Sequence, residues 1–271
     1  MEHIGRHYIA SLKRLPRESL TAEQLKQIEG FESHTSKPLS EEQAESMRVY
    51  REKVFNPPEK LKISLDKNKM WNDFRAHYKR LYDQPFVVCE ETLKNVEPIF
   101  KYFLRDESFF ECENLSDLTE PSFDKGLFLI GPVGCGKSSV MNTMRHVIMG
   151  SDLSFHFKNM IELVSEYGFC NEPEEKSTFW YTNTTGNALF DDVKTERLAS
   201  NYGHVNLFKE IAETRALKSY TTHGTCNFRD KKPGDIKDAV VEIGERYGPR
   251  VYDRFFKMFN VIEFKGKSRR V

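Results

Sequence analysis

The chain is expected to be an α/β protein, a parallel sheet flanked by helices, preceded by a mostly helical N-terminal region. Three observations predict this. An apolar run at residues 127–130 (Leu-Phe-Leu-Ile) leads into a glycine-rich turn and then into helical apolar spacing at Val140, Met141, Met144, Val147 and Ile148. A second short apolar stretch, Ala188-Leu189-Phe190, ends in Asp191-Asp192. Between and after these, short β-prone runs alternate with helical patterns, as in βα units that build a parallel sheet.

Residues 1–85 carry no catalytic signature. Thr21 and Ser40 each stand three positions before a glutamine, Gln24 and Gln43, which is the capping-box spacing that opens helices. Pro38, Pro57 and Pro58 punctuate the region. Farther on, Trp71, Phe74, Tyr78 and Leu81 recur at helical spacing among Lys60, Lys62, Lys67, Lys69, Arg75, Lys79 and Arg80. An aromatic stripe of this kind ordinarily packs into a core while the lysines stay solvated. A basic aromatic helix can also hold single-stranded nucleic acid or dock a partner protein.

The remaining elements follow in order. Leu93, Val96, Phe100 and Phe103 predict a helix over 90–105, and Phe155-His156-Phe157 a short strand before a helix through Ile161, Leu163, Val164 and Tyr167. The polar stretch 168–178 reads as a loop. Asn187 interrupts the start of the strand that ends in Asp191-Asp192. A helix with Val205, Phe208, Ile211 and Ala212 on one face precedes the β-prone run 220–227, which ends in Asn227. Ile236, Val240 and Ile243 mark another helix, followed by an arginine-bearing segment with Arg250 and Arg254, a strand at 261–264, and a basic end, Lys267-Ser268-Arg269-Arg270-Val271.

Composition bounds the partners. The 271 residues have zero formal net charge, so any attraction to nucleic acid must come from a local basic patch. The five cysteines are scattered and lack a C-x-x-C pair, which fits a reducing cytoplasm and offers no zinc spacing. No stretch is long and apolar enough for a membrane span, and the start lacks a signal-like apolar segment, so the expectation is a cytoplasmic protein.

The chemistry centres on Gly131-Pro132-Val133-Gly134-Cys135-Gly136-Lys137-Ser138, followed by Ser139. Strand, glycine-rich turn and helix N-terminus together form a P-loop, in which successive backbone N–H groups face one anion. Lys137 is expected to reach the outer phosphates of a nucleotide and Ser138 to complete the shell of a magnesium ion. Asp191 is the candidate second holder of Mg2+, and Asp192 the candidate that orients and deprotonates the attacking water. Asn227 suits an amide that hydrogen-bonds that water or the γ-phosphate, although an asparagine also simply starts turns. His223 lacks a metal-ligand partner and receives no function. Cys135 reads as a small residue tolerated in the loop.

Five pieces in order, GPVGCGKSS, LFDDV, the Thr225-Cys226-Asn227 strand end, RVYDRFF and the final Gly-Lys-Ser-Arg-Arg, resemble the AAA+ ATPases of the DnaC/IstB group. These are bacterial and phage helicase loaders and transposition helper ATPases. The resemblance spans roughly residues 86–271 and implies an AAA+ ATPase domain there, with residues 1–85 as a helical partner-binding region. It implies ATP and Mg2+ as ligands, bound between side-by-side subunits of a homo-oligomer. It further implies sensor 1 at Asn227, an arginine finger at Arg254 with Arg250 as the weaker candidate, and a sensor-2-like arginine at Arg270. Asp192 stands where many AAA+ proteins have glutamate, so slow hydrolysis is expected.

The leading functional expectation is an ATPase that loads a replicative helicase on single-stranded DNA. One alternative keeps the ATPase but serves a transposase on duplex DNA. Another, from a different class, is a nucleotide-gated interaction protein with little hydrolysis. A protein-remodelling AAA+ enzyme of the ZapE-like kind is a fourth expectation.

Overall fold

The computed structural model describes residues 20–35, 45, 66–200, 204–218 and 220–269. The chain divides into two compact units, Met1–Glu59 and Lys60–Val271. In the first unit, helix α1 (Ala22–Thr35) opens as the capping box expected from Thr21 and Gln24. The Gln24 amide N–H donates to Thr21 Oγ1 at 3.3 Å and the Thr21 N–H to Gln24 Oε1 at 2.9 Å. The second expected box, at Ser40 and Gln43, lies outside the described residues.

The second unit contains α2 (Lys67–Tyr82), α3 (Glu90–Leu104), β1 (Gly126–Gly131), α4 (Lys137–Val147), β2 (His156–Asn159), α5 (Met160–Phe169) and α6 (Pro173–Thr184). It continues with β3 (Ala188–Val193), β4 (Ala199–Ser200), β5 (His204–Val205), α7 (Leu207–Lys218), β6 (Thr222–Asn227), α8 (Ile236–Tyr247), α9 (Pro249–Met258) and β7 (Phe259–Glu263). Five strands form one parallel sheet in the order β2-β3-β6-β1-β7, while β4 and β5 pair as a small antiparallel hairpin. This is the helix-flanked parallel sheet that the alternating pattern predicts.

β1 is buried along its whole length, as a strand covered on both faces must be. Its alternation splits two cores. Phe128 and Ile130 join the layer of α5, α7, α8 and α9, while Leu127 and Leu129 join the layer of α2, α3 and α4. The aromatic stripe of α2 belongs to this second core. Phe74 is fully buried and packs edge-on against Phe86 and Phe100, and Trp71 meets Phe100 at 5.5 Å. The ordinary reading of the stripe therefore holds, with α2 packed into the same core as β1.

Two local expectations are corrected. Part of the polar stretch 168–178, expected as a loop, enters helix α6 at Pro173. Proline at the first helical position, a Glu172–Glu175 capping box and acids in the first turn start this helix without any apolar periodicity. Val205, expected on a helix, lies in β5, and α7 starts two residues later at Leu207.

His223 is buried in β6 and accepts a hydrogen bond from the Leu127 N–H at 3.0 Å. Burial drives its pKa down to about 3, so it is a neutral cross-strand acceptor. Arg215 on α7 is also fully buried. Its guanidinium donates to Thr222 Oγ1 and to the carbonyls of Asn183, Gly186 and Thr221, and it lies 5.4 Å from the centre of the Phe190 ring. It thus ties α7 to the ends of α6 and the starts of β3 and β6.

Arg215→Leu is expected to destabilise the protein by about 3 kcal/mol or more, because three buried carbonyls lose their donor at about 1–3 kcal/mol each. Urea denaturation followed by circular dichroism measures this; a change under about 1 kcal/mol would show that solvent reaches those carbonyls.

Candidate active site

The sheet order decides what meets what. β6 lies between β1 and β3, and Gly131 at the end of β1 is in register with Asn227 at the end of β6. On its other side, β6 pairs with the strand ending in the two acids. The P-loop, Asn227, Asp191 and Asp192 therefore share the carboxyl ends of three adjacent parallel strands, where open α/β sheets bind their ligands.

Lys137 opens α4 and is almost fully buried. Its ammonium donates to the carbonyls of Gly131 at 2.9 Å and Pro132 at 2.7 Å, and to Asn227 Oδ1 at 3.0 Å, with Cys135 Sγ at 3.7 Å. No carboxylate among the described residues pairs with it. An ammonium held by carbonyl and amide oxygens thus faces the loop, a group suited to a phosphate. Gly134 is required twice. Its φ is +79°, and a Cβ there would stand 2.3 Å from Ser268 Oγ.

Asp191 is buried in β3, and burial raises its pKa, opposed by hydrogen bonds from Thr225 and Ser138. Among the described residues no group of three or more His, Cys, Asp or Glu could hold a metal. One buried carboxylate beside one hydroxyl is instead the sparse protein donor set that suits Mg2+, whose other ligands are water and phosphate oxygens. Asp192 lies within a bulge, because Phe190 and Val193 pair with Gly224 and Cys226, and it adopts φ +56°. The bulge turns its half-exposed side chain into the lining of the P-loop cavity, as bulges beside functional sites do.

That cavity measures about 900 Å³ and is walled by Gly134, Lys137, Ser138, Asp192 and Asn227. Its far wall is unexpected. Tyr78 and Tyr82 of α2 line it, with Tyr82 Oη accepting from Asn142 Nδ2 at 3.3 Å, and so does Arg269. The chain end crosses the loop, with the Arg269 N–H donating to the Gly134 carbonyl at 2.9 Å and its guanidinium 3.0 Å from Glu91. Arg270, the expected sensor-2-like residue, lies outside the described residues; its neighbour Arg269 is the arginine at the cavity.

Two further residues escaped the sequence. Thr225, fully buried, donates to Asp191 Oδ1 at 2.7 Å and accepts from the Asp192 N–H at 3.0 Å, so one hydroxyl positions both acids. A hydroxyl in a strand covered on both faces was its only signal. Lys194, also at positive φ (+81°), donates from Nζ to the Asn227 carbonyl at 2.8 Å and to Glu242 at 2.6 Å. Its N–H donates to Tyr247 Oη, which in turn donates to the buried Glu196. Lys194 thereby fastens the acid-bearing turn and the Asn227 strand end to α8, and nothing in the pattern of charges marks it.

Arg254 is elsewhere. It is half-buried, donates to the Glu213 carbonyl at 3.1 Å, and shares a cavity with Gly126 and Thr222, the first residues of β1 and β6. It lies at the amino ends of these strands, opposite the carboxyl ends that carry Lys137, so it takes no part in its own chain's P-loop site. Arg250 is exposed at the start of α9.

Thr225→Val preserves shape but leaves the Asp191 carboxylate and the Asp192 N–H without their shared partner. The expected result is a loss of about 1–3 kcal/mol in stability and at least about tenfold weaker magnesium-dependent nucleotide binding by calorimetry, about 1.4 kcal/mol. Thr225→Ser restores both. Unchanged metal dependence in the valine variant would remove Thr225 from the site.

No family profile matches the chain, and no curated protein matches it. Among solved structures it is similar to the DnaC helicase loader, at 18% identity over 55% of this chain and 82% of that one, with a TM-score of 0.44. It is also similar to DnaI, at 18% identity over 73% of this chain and 93% of that one, with a TM-score of 0.46.

Proposed function

We propose that the chain binds and hydrolyses ATP as an AAA+ protein and loads a replicative helicase on single-stranded DNA. The observation that supports the ATPase is that Lys137, Ser138, Asp192 and Asn227 line one cavity at the carboxyl ends of three strands, with the buried Asp191 hydrogen-bonded to Ser138. Bound Mg2+ would neutralise charge on the phosphates and orient them. Ser138 and Asp191 are the residues that would hold it. Lys137 supplies fixed positive charge for the outer phosphates, and loop N–H groups cradle the remainder. Asp192 serves as acceptor for the proton of the attacking water, and Asn227, with its amide oxygen anchored on Lys137, presents its amide nitrogen to that water or to the γ-phosphate.

The loader half is supported by the order of motifs, which resembles the DnaC/IstB group, and by a separate unit ahead of Lys60 that contributes helix α1. In a homo-oligomer, Arg254 or Arg250 of one subunit would complete the site of its neighbour. Arg254 must then leave the Glu213 carbonyl, whereas Arg250 is already exposed.

Lys137→Ala is expected to abolish ATP turnover, and Arg254→Ala to bind ATP yet lose about 10³-fold or more in rate. Mixing the two variants restores part of the turnover if the finger acts between subunits; a mixture with no recovery points to Arg250 or to a self-contained site. Steady-state turnover stimulated by DNA eliminates the nucleotide-gated, non-hydrolysing alternative. Preference for single-stranded over duplex DNA at a stated salt concentration separates helicase loading from the transposition-helper alternative.

A further inference from the structure

Outside the nucleotide cavity, an unmatched concentration of positive charge lies where α2 packs against α4. The rings of His77 and His146 stack there, 5.8 Å between centroids. Each ring nitrogen faces an arginine, Arg80 Nη2 at 2.9 Å from His77 Nδ1 and Arg145 Nη2 at 3.4 Å from His146 Nε2. A guanidinium has only donors, so both imidazole nitrogens accept. Burial first, and then the charges of Arg145, His77 and Arg80, hold the His146 pKa below its ordinary value, which keeps that ring an acceptor. The stacked histidines therefore act as a brace that orients two guanidiniums from two different helices.

Among the described residues no ion pair answers them. Among the described residues, neither Arg80 nor Arg145 forms an ion pair, and the same holds for Arg75 and Lys79, both exposed on α2. The buried Nε of Arg145 has no hydrogen-bond partner. A helix C-terminal turn favours a single cation by about 0.3–1 kcal/mol. That accounts for one arginine at each helix end, but not for their being braced together, since like charges held close oppose one another. In a chain of zero net charge, such a face is where attraction to a polyanion has to originate.

We infer that this α2–α4 face binds the phosphodiester backbone of single-stranded DNA without reading its bases, Arg80 and Arg145 each engaging a phosphate. The choice of DNA rests on the loader reading; the anion site rests on the braced arginines alone. α4 also carries Lys137 at its other end, so this contact and the P-loop belong to one helix.

The test uses the full chain and a fluorescein-labelled oligothymidylate, with anisotropy measured over a salt series. Arg80→Gln/Arg145→Gln is expected to weaken binding at least about tenfold and to reduce the slope of log affinity against log salt by about 1.4, at about 0.7 per phosphate contact. Because Arg145 is partly buried, Lys79→Gln/Arg80→Gln provides a second, exposed variant with the same expected direction. Unchanged affinity and slope in both variants overturns the site. Tighter binding of a duplex, with the same losses, overturns the choice of single strand. A fluorescent ATP analogue is titrated alongside, and both variants are expected to keep nucleotide binding. If the unsubstituted protein binds the oligonucleotide but no nucleotide, the ATPase reading fails and this site stands. If it binds nucleotide but not the oligonucleotide, the reverse holds.

Discussion

One ammonium group organises the site. Lys137 Nζ touches the carbonyls of Gly131 and Pro132 and the side chain of Asn227, joining the P-loop to the neighbouring strand. Burying a charge without an acid is costly unless dipoles or a ligand compensate it. The loop curls so that its carbonyls provide part of that compensation, and the insertion of β6 beside β1 provides the amide oxygen. The strand order is thus what makes a buried, unpaired lysine tolerable and keeps it available to phosphate.

The acids are held by a second device. Thr225 reaches across from β6 to fix Asp191 and the backbone of Asp192, and the bulge in β3 gives Asp192 and Lys194 their positive φ angles. Residues other than glycine rarely adopt such angles, and they persist only where surroundings fix them. Here the surroundings are the Lys194–Asn227–Glu242 contacts and the Tyr247–Glu196 pair, which dock the turn on α8. Any shift of α8 is therefore coupled to both Asn227 and Asp192.

Helix α2 serves three neighbours at once. Its apolar side fills the core under β1, Tyr78 and Tyr82 near its end wall the P-loop cavity, and His77, bonded to Arg80, stacks on His146 of α4. Reading its aromatics as core and its cations as solvated describes each residue type correctly, yet misses that the two sets are sorted onto different neighbours.

The sequence by itself determined the P-loop half of the fold and the residues at its centre. Strand–glycine turn–helix spacing, the Asp191-Asp192 strand end and the Asn227 strand end are local patterns, written in consecutive residues, and the structure brings them to one cavity. What it could not determine is whatever depends on residues far apart in the chain. Thr225 matters because β6 happens to lie against β3, Arg269 because the chain end crosses Gly134, and α2 because its stripe finds Phe100 and α4. The helix at Pro173 was hidden for a related reason, since its few buried residues, Phe179, Asn183 and Thr184, form no periodic stripe. Arg254 shows the limit most clearly: motif order marks it as a candidate, but only tertiary structure reveals that it lies at the amino ends of β1 and β6, away from its own chain's P-loop.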